Sequence, residues 1–138
     1  MTTKPKVTPS ISLLIVEDCK ITLTCYRTVL SMACPEVTVY TASNGTTGLE
    51  IFQAHMPDIV FTDFNMPEMD GRQMAYKIRS IKPDTKLIVI TGDKEKIEQK
   101  DLAEKEVTFD HVIEKPIDFQ SFIAAIKQCI DEIEQHGS

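Results

Sequence analysis

Apolar residues along this chain follow two patterns. Short continuous runs occur at 11–16 (ISLLIV), 59–62 (IVFT), 87–90 (LIVI) and 112–113. Between them lie longer stretches whose apolar residues recur every three or four positions. Runs of the first kind suit strands of a buried parallel sheet. Stretches of the second kind suit amphipathic helices covering it. The first helix is predicted over 18–32, with Ile21, Cys25, Val29 and Met32 on one face and Lys20 and Arg27 elsewhere. Pro35 ends that region, and 37–40 reads as a short second strand. Ser43-Asn44-Gly45 forms a turn or cap before a helix over 46–55. Pro57-Asp58 turns the chain into the third strand, and 64–71 (FNMPEMDG) is a loop punctuated by Pro and Gly. A helix with Met74, Ile78 and Ile81 as its apolar line stops before Pro83. The very polar segment 94–106 reads as an exposed helix. After a fifth strand at 111–113, the last helix carries Phe119, Phe122, Ile123, Ile126, Ile130 and Ile133 on its buried face, with Asp118 as N-cap.

This order is β-α five times over, with no internal repeat and no low-complexity segment. The class is α/β: a doubly wound, five-stranded parallel sheet with helices on both faces and the flavodoxin-like order 2-1-3-4-5. The 138 residues suit one domain with a sizeable core. Its expected extent is 11–135, between a polar N-terminal tail at 1–10 and a short C-terminal tail at 136–138. A net charge of −6 argues against a general nucleic-acid binder, whose footprint would be basic. No apolar run approaches the roughly 20 residues that span a bilayer, and the polar start is not a signal peptide. Cys19, Cys25, Cys34 and Cys129 form no Cys-x-x-Cys pair, which fits free, small apolar residues in a reducing cytoplasm.

Each apolar run leads into residues that carry chemistry. The first leads into Glu17-Asp18, the third-strand run into Asp63, the next into Thr91-Gly92, and 112–113 towards Lys115-Pro116. Ligands of such sheets bind beyond the carboxyl ends of the strands. Three carboxylates converging there repel one another unless a cation sits among them, and a hard divalent ion such as Mg²⁺ fits oxygen donors. Taken alone, Glu17-Asp18 reads equally well as solvated acids near a helix N-terminus. Lys115 could bind an anion held at Asp63. Its bond to Pro116 can be cis at modest cost, which would aim the lysine inward; a plain surface turn is the alternative. Thr91 offers a hydroxyl, with Gly92 leaving room for a phosphoryl group, though a helix N-cap explains Thr91 too.

The motifs LLIVED (13–18), FTDFNMPEMDG (61–71), VITG (89–92) and EKP (114–116) together resemble response-regulator receiver domains, the phosphoacceptor modules of two-component signalling. The resemblance covers about 11–135. It implies that Asp63 is phosphorylated by a histidine kinase or a histidine phosphotransfer protein. It implies that Asp18 binds Mg²⁺ directly, that Glu17 does so directly or through water, and that Asn65 supplies its backbone carbonyl. Thr91 and Lys115 become the hydroxyl and the cation that meet the phosphoryl group. Asp63 is then a carboxylate nucleophile, assisted by positioning and charge neutralisation. The domain would catalyse only its own phosphorylation and dephosphorylation, and would signal by a change of conformation. One residue departs from the pattern: Val112 stands where most receivers carry Tyr or Phe, so no aromatic rotor is expected. The signal is expected to run through loop 91–93 into 94–106, with that helix, the fifth strand and the last helix as partner face. Two other readings share the fold. A haloacid-dehalogenase-type phosphatase would need a second aspartate where Asn65 stands. An unphosphorylated interaction module would not need Asp63, Thr91 and Lys115 intact. No DNA-binding or enzymatic output segment is expected after residue 135.

Overall fold

The computed structural model describes residues 10–66, 69–93, 95, 97 and 108–136. Within them the chain runs β1 (Ser12–Val16), α1 (Lys20–Ala33), β2 (Thr38–Ala42), α2 (Gly45–His55), β3 (Ile59–Asp63), α3 (Gly71–Ile81), β4 (Lys86–Thr91), β5 (His111–Glu114) and α4 (Phe119–His136). The strands form one sheet in the order β2-β1-β3-β4-β5, and every pairing is parallel. This is the expected doubly wound arrangement. Its central strands are buried along their length: all five residues of β3 and the last five of β4 are inaccessible. That burial is why their sequences read as unbroken apolar runs rather than as alternations.

Side-chain alternation divides the core in two. Leu13, Ile15, Ile59, Phe61, Ile88 and Ile90 face Tyr26 and Leu30 of α1 and Phe122, Ile126 and Cys129 of α4. Leu14, Val16, Val60 and Leu87 face Phe52 of α2 and Met74, Ala75 and Ile78 of α3. Phe61 is the hub of the first layer. Its ring lies 5.1 Å from Tyr26, edge to face, and 4.5 Å from Phe122.

Helix starts follow local chemistry. The Asn44 side chain accepts the Thr47 N–H at 2.8 Å. Asp70 and Gln73 form a reciprocal capping box at 2.8 and 3.2 Å. The Asp118 carboxylate accepts the Gln120 N–H at 3.0 Å, as its predicted capping role requires. Gly71 is needed where it stands: a Cβ there would come within 2.9 Å of the Phe64 Cα. That close approach lets α3 start directly over the turn that leaves β3.

Three expectations need correction. Of the α1 face predicted from Ile21, Cys25, Val29 and Met32, three residues are exposed: Ile21 and Met32 are 78% and 80% accessible, and Cys25 is exposed too. The helix buries Tyr26 and Leu30 instead, with Leu23, Val29 and Ala33 partly covered. Two helical stripes compete in that segment, and the one carrying the aromatic ring has more area to remove from water. Ile81 and Phe119, placed on buried faces, are 36% and 43% accessible. Cys129 and Ala125, absent from the predicted apolar line of the last helix, are buried. Apart from Glu95 and Ile97, the helix predicted over 94–106 lies outside the described residues, as do tail residues 1–9 and 137–138.

Candidate functional site

The predicted site residues meet at the carboxyl edge of the sheet. Asp63 is the last residue of β3 and is 4% exposed. Both of its carboxylate oxygens are engaged. Oδ2 accepts from the Lys115 ammonium at 2.8 Å, and Oδ1 accepts from the Asn65 N–H at 3.0 Å. The second bond folds the loop after β3 back over the acid. Met66, buried in the α2–α3 layer, anchors that loop from below. Lys115 follows β5 directly, its backbone N–H bonded to the Thr91 carbonyl at 2.8 Å. The Lys115–Pro116 bond is cis. The lysine side chain is 45% accessible, so it reaches the acid from the solvent side.

Glu17 and Asp18 follow β1. Glu17 is 5% exposed; its N–H bonds to the Ala42 carbonyl, and its carboxylate accepts the Cys19 N–H at 3.0 Å. Asp18 is exposed. Carboxylate oxygens of Glu17, Asp18 and Asp63 all lie within 4.8 Å of one another. The electrostatic consequence is visible in two groups. Burial pushes the Glu17 carboxyl above its ordinary pKa, and the nearby Asp18 and Asp63 charges add to this, while the Cys19 N–H pulls the other way. The hydrogen bond to Asp63 raises the Lys115 ammonium, helped by the charges of Asp63, Glu17 and Asp18, with burial opposing. Three carboxylates with one ammonium leave an excess of negative charge. That donor set fits a hard divalent cation held through oxygen.

Thr91 ends β4, is 2% exposed, and accepts the Asp93 N–H on its hydroxyl at 3.1 Å. A Cβ at Gly92 would meet nothing within 4 Å, so the space at Gly92 itself is open. Val112 sits in β5 paired with Val89 and is half buried. Of the residues singled out in the sequence, Glu17, Asp18, Asp63, Asn65 and Lys115 converge on one point, and Thr91 stands on the neighbouring strand. Cys19 was missed as a contributor. Its role is carried by a backbone N–H, which any residue type would supply, so no sequence signal marks it.

A family model for the response regulator receiver domain matches residues 13–127, and the chain belongs to that family. It is similar to the nitrate/nitrite response regulator protein NarL of Escherichia coli K12, 32% identical over 81 residues, which are 58% of this chain and 37% of NarL. It is also similar to the regulatory protein AtoC of the same strain, 35% identical over 89 residues, 64% of this chain and 19% of AtoC. The chain thus spans well under half the length of these curated relatives. Among solved structures, the receiver domain protein from Clostridium thermocellum superposes with a TM-score of 0.79 at 28% identity, covering 91% of this chain and 98% of that one. Among the described residues, no helix is long and apolar enough to cross a membrane.

Proposed function

We propose that this receiver accepts a phosphoryl group on Asp63 from a histidine kinase or a histidine phosphotransfer protein, in the cytoplasm and with Mg²⁺, and signals by changing shape. The observation that carries this reading is the Lys115 ammonium 2.8 Å from a buried Asp63 carboxylate that also faces two further acids. An aspartate at such a point can act as a nucleophile. As the P–O bond to Asp63 forms, the P–N bond of the donor phosphohistidine breaks, and the imidazole nitrogen keeps the electron pair. Lys115 offers its ammonium to the transferred group. Thr91 accepts the Asp93 N–H and so retains its own proton to donate to a phosphoryl oxygen. Glu17, Asp18, Asp63 and the Asn65 carbonyl would hold Mg²⁺, which would supply neutralisation of the phosphoryl charge. Water entering by the same line of approach attacks the phosphorus; the P–O bond to Asp63 breaks, inorganic phosphate leaves and Asp63 is again a free carboxylate.

The exposed stripe of α1 suits the docking of the phosphodonor. The helix begins two residues after Asp18 and presents Ile21 and Met32 to solvent. A partner covering them brings its histidine to the rim of the acidic site. Once Asp63 is phosphorylated, the added charge and acceptor oxygens draw Thr91 and loop 91–93 inward. Val112 supplies no aromatic ring to follow, so the shift passes along the backbone.

Acetyl phosphate with Mg²⁺ tests the assignment by intact mass. The wild-type chain is expected to gain one phosphoryl mass, and Asp63→Asn none. A full shift retained by Asp63→Asn would sink the assignment of the acceptor. No shift in wild type would favour the unphosphorylated interaction module.

A further inference from the structure

A second set of donors stands at the opposite end of the sheet. His111 opens β5, paired with Ile88, and shares a strand face with Ile113, which packs in the α1–α4 layer. Cys129 and Glu132 are three apart on α4 and therefore lie on one side of that helix. The His111 imidazole, the Cys129 Sγ and a Glu132 carboxylate oxygen all fall within 4.8 Å of one another. A buried cysteine alone is usually a small apolar residue and nothing more. This one is fully buried, yet it faces a nitrogen donor and an oxygen donor, both half buried.

We propose that His111, Cys129 and Glu132 form a binding site for a Zn²⁺-class transition-metal ion, distinct from the carboxylate site at Asp63. The mixed nitrogen, sulfur and oxygen set matches the ligand preferences of zinc, and three protein ligands leave a fourth, tetrahedral position for water. Hard Mg²⁺ would gain little from thiolate and imidazole, so the two sites select different ions. Of the three donors, Glu132 also lines a cavity of about 530 Å³, together with Lys86, Asp110 and Ile133 among others. The Glu132 side of the site therefore borders open space.

The charges around the site can accommodate the change. Lys86 now lies 3.4 Å from Glu132 and 3.9 Å from Asp110. On binding, Glu132 turns from Lys86 to the ion, and Lys86 keeps Asp110. Asp110 stays committed to the Leu87 N–H at 2.7 Å and to Arg79 at 3.1 Å. Burial, then Asp110 and Glu132, push the Cys129 thiol up to about 12. The ion must therefore displace that proton: the S–H bond breaks, an S–metal bond forms and a proton is released to solvent. The bound ion would join β5 to α4, two elements the apolar core already packs together. His111 to Glu114 spans about 10 Å of strand, which keeps this site apart from Lys115.

Co²⁺ is the probe, because its thiolate complex has a charge-transfer absorption that carboxylate sites lack. The full chain is used with the exposed Cys19 and Cys25 changed to Ser and with saturating Mg²⁺ present. One equivalent of Co²⁺ is expected to give thiolate charge-transfer and tetrahedral d–d bands, and Zn²⁺ is expected to abolish both. Cys129→Ala should remove the charge-transfer band. His111→Ala and Glu132→Gln change half-buried groups, and each should weaken Co²⁺ binding at least about tenfold. Circular dichroism confirms that the variants are folded; if Cys129→Ala is not, His111→Ala and Glu132→Gln decide. Absence of a thiolate band in the Cys19/Cys25 background, its survival in folded Cys129→Ala, or unchanged affinity in both other variants would overturn the proposal. None of these outcomes depends on phosphorylation at Asp63.

Discussion

The two edges of the sheet carry similar numbers of acids but treat them differently. At the amino edge Asp58, Asp110 and Glu132 are each matched. Asp58 accepts from the Ser12 N–H at 3.0 Å and pairs with Lys82 at 3.2 Å. Asp110 holds Arg79 and the Leu87 N–H, and Glu132 holds Lys86. The Arg79 guanidinium also donates to the carbonyls of Pro83, Thr85 and Thr108, tying the ends of the loops before β4 and β5 to α3. At the carboxyl edge, Glu17, Asp18 and Asp63 share one ammonium. Balanced charge at the first edge closes loops and holds the fold together. Unbalanced charge at the second raises the free energy of the metal-free fold and leaves a place where a cation or a phosphoryl group gains.

If this contrast is right, truncation should have opposite signs at the two edges. Arg79→Ala is expected to have the largest effect. It leaves an aspartate and several loop carbonyls short of a donor, for a loss of about 2 kcal/mol or more in chemical denaturation. That loss should be the same with and without Mg²⁺. A near-neutral Arg79→Ala would mean that the paired edge contributes little to stability. Asp18→Ala should act the other way on the metal-free protein, whose melting temperature is expected to hold or rise. Its Mg²⁺ affinity should fall at least about tenfold, roughly 1.4 kcal/mol. Unchanged affinity by calorimetric titration would exclude Asp18 as a ligand.

Mg²⁺ itself should act only through the carboxyl edge. At ten times its Kd it is expected to stabilise the wild-type chain by about 1.4 kcal/mol. Melts with and without the ion at fixed ionic strength measure this. The gain should vanish in an Asp18→Ala, Asp63→Asn double variant and persist in Arg79→Ala. A gain surviving in the double variant would place the ion elsewhere.

Most of the fold and much of the site were legible in the sequence for one shared reason. A strand buried on both faces must be continuously apolar, so the polar residues that end each run mark the sheet edge where ligands bind. Asp63 and Thr91 could be placed at that edge before any contact was known. Less legible was anything settled between equal candidates by packing. Helix α1 has two apolar stripes, and sequence spacing weighted Ile21-Cys25-Val29-Met32 without the ring contacts that seat Tyr26 against Phe61 and Phe122. The grip of Cys19 on Glu17 is a backbone bond and leaves no trace in residue type. The closeness of His111 to Cys129 and Glu132 depends on how β5 meets α4, which neither segment specifies alone.

The finest test of the comparison is the pH dependence of a Glu17→Gln variant in Mg²⁺-free buffer. Burial, with help from Asp18 and Asp63, raises the Glu17 carboxyl in the folded state. Its ionised form therefore costs the native protein stability that the unfolded chain does not lose. Above the raised folded pKa both states are ionised and the cost is at its full value, so Glu17→Gln should melt higher than wild type. As pH falls through the elevated folded pKa, native Glu17 takes up its proton before the unfolded chain does, and wild type recovers. The recovery is complete near the ordinary glutamate value of about 4.3. The advantage of the variant should therefore be largest near pH 8 and shrink towards pH 5, and it should be smaller than either effect above. The amide oxygen introduced by Glu17→Gln can still accept the Cys19 N–H, so that bond is not the variable. A gap that stays constant on acidification would mean that the Cys19 N–H balances burial and repulsion, and one that widens that it outweighs them. Glu17 would then belong with the paired acids of the opposite edge.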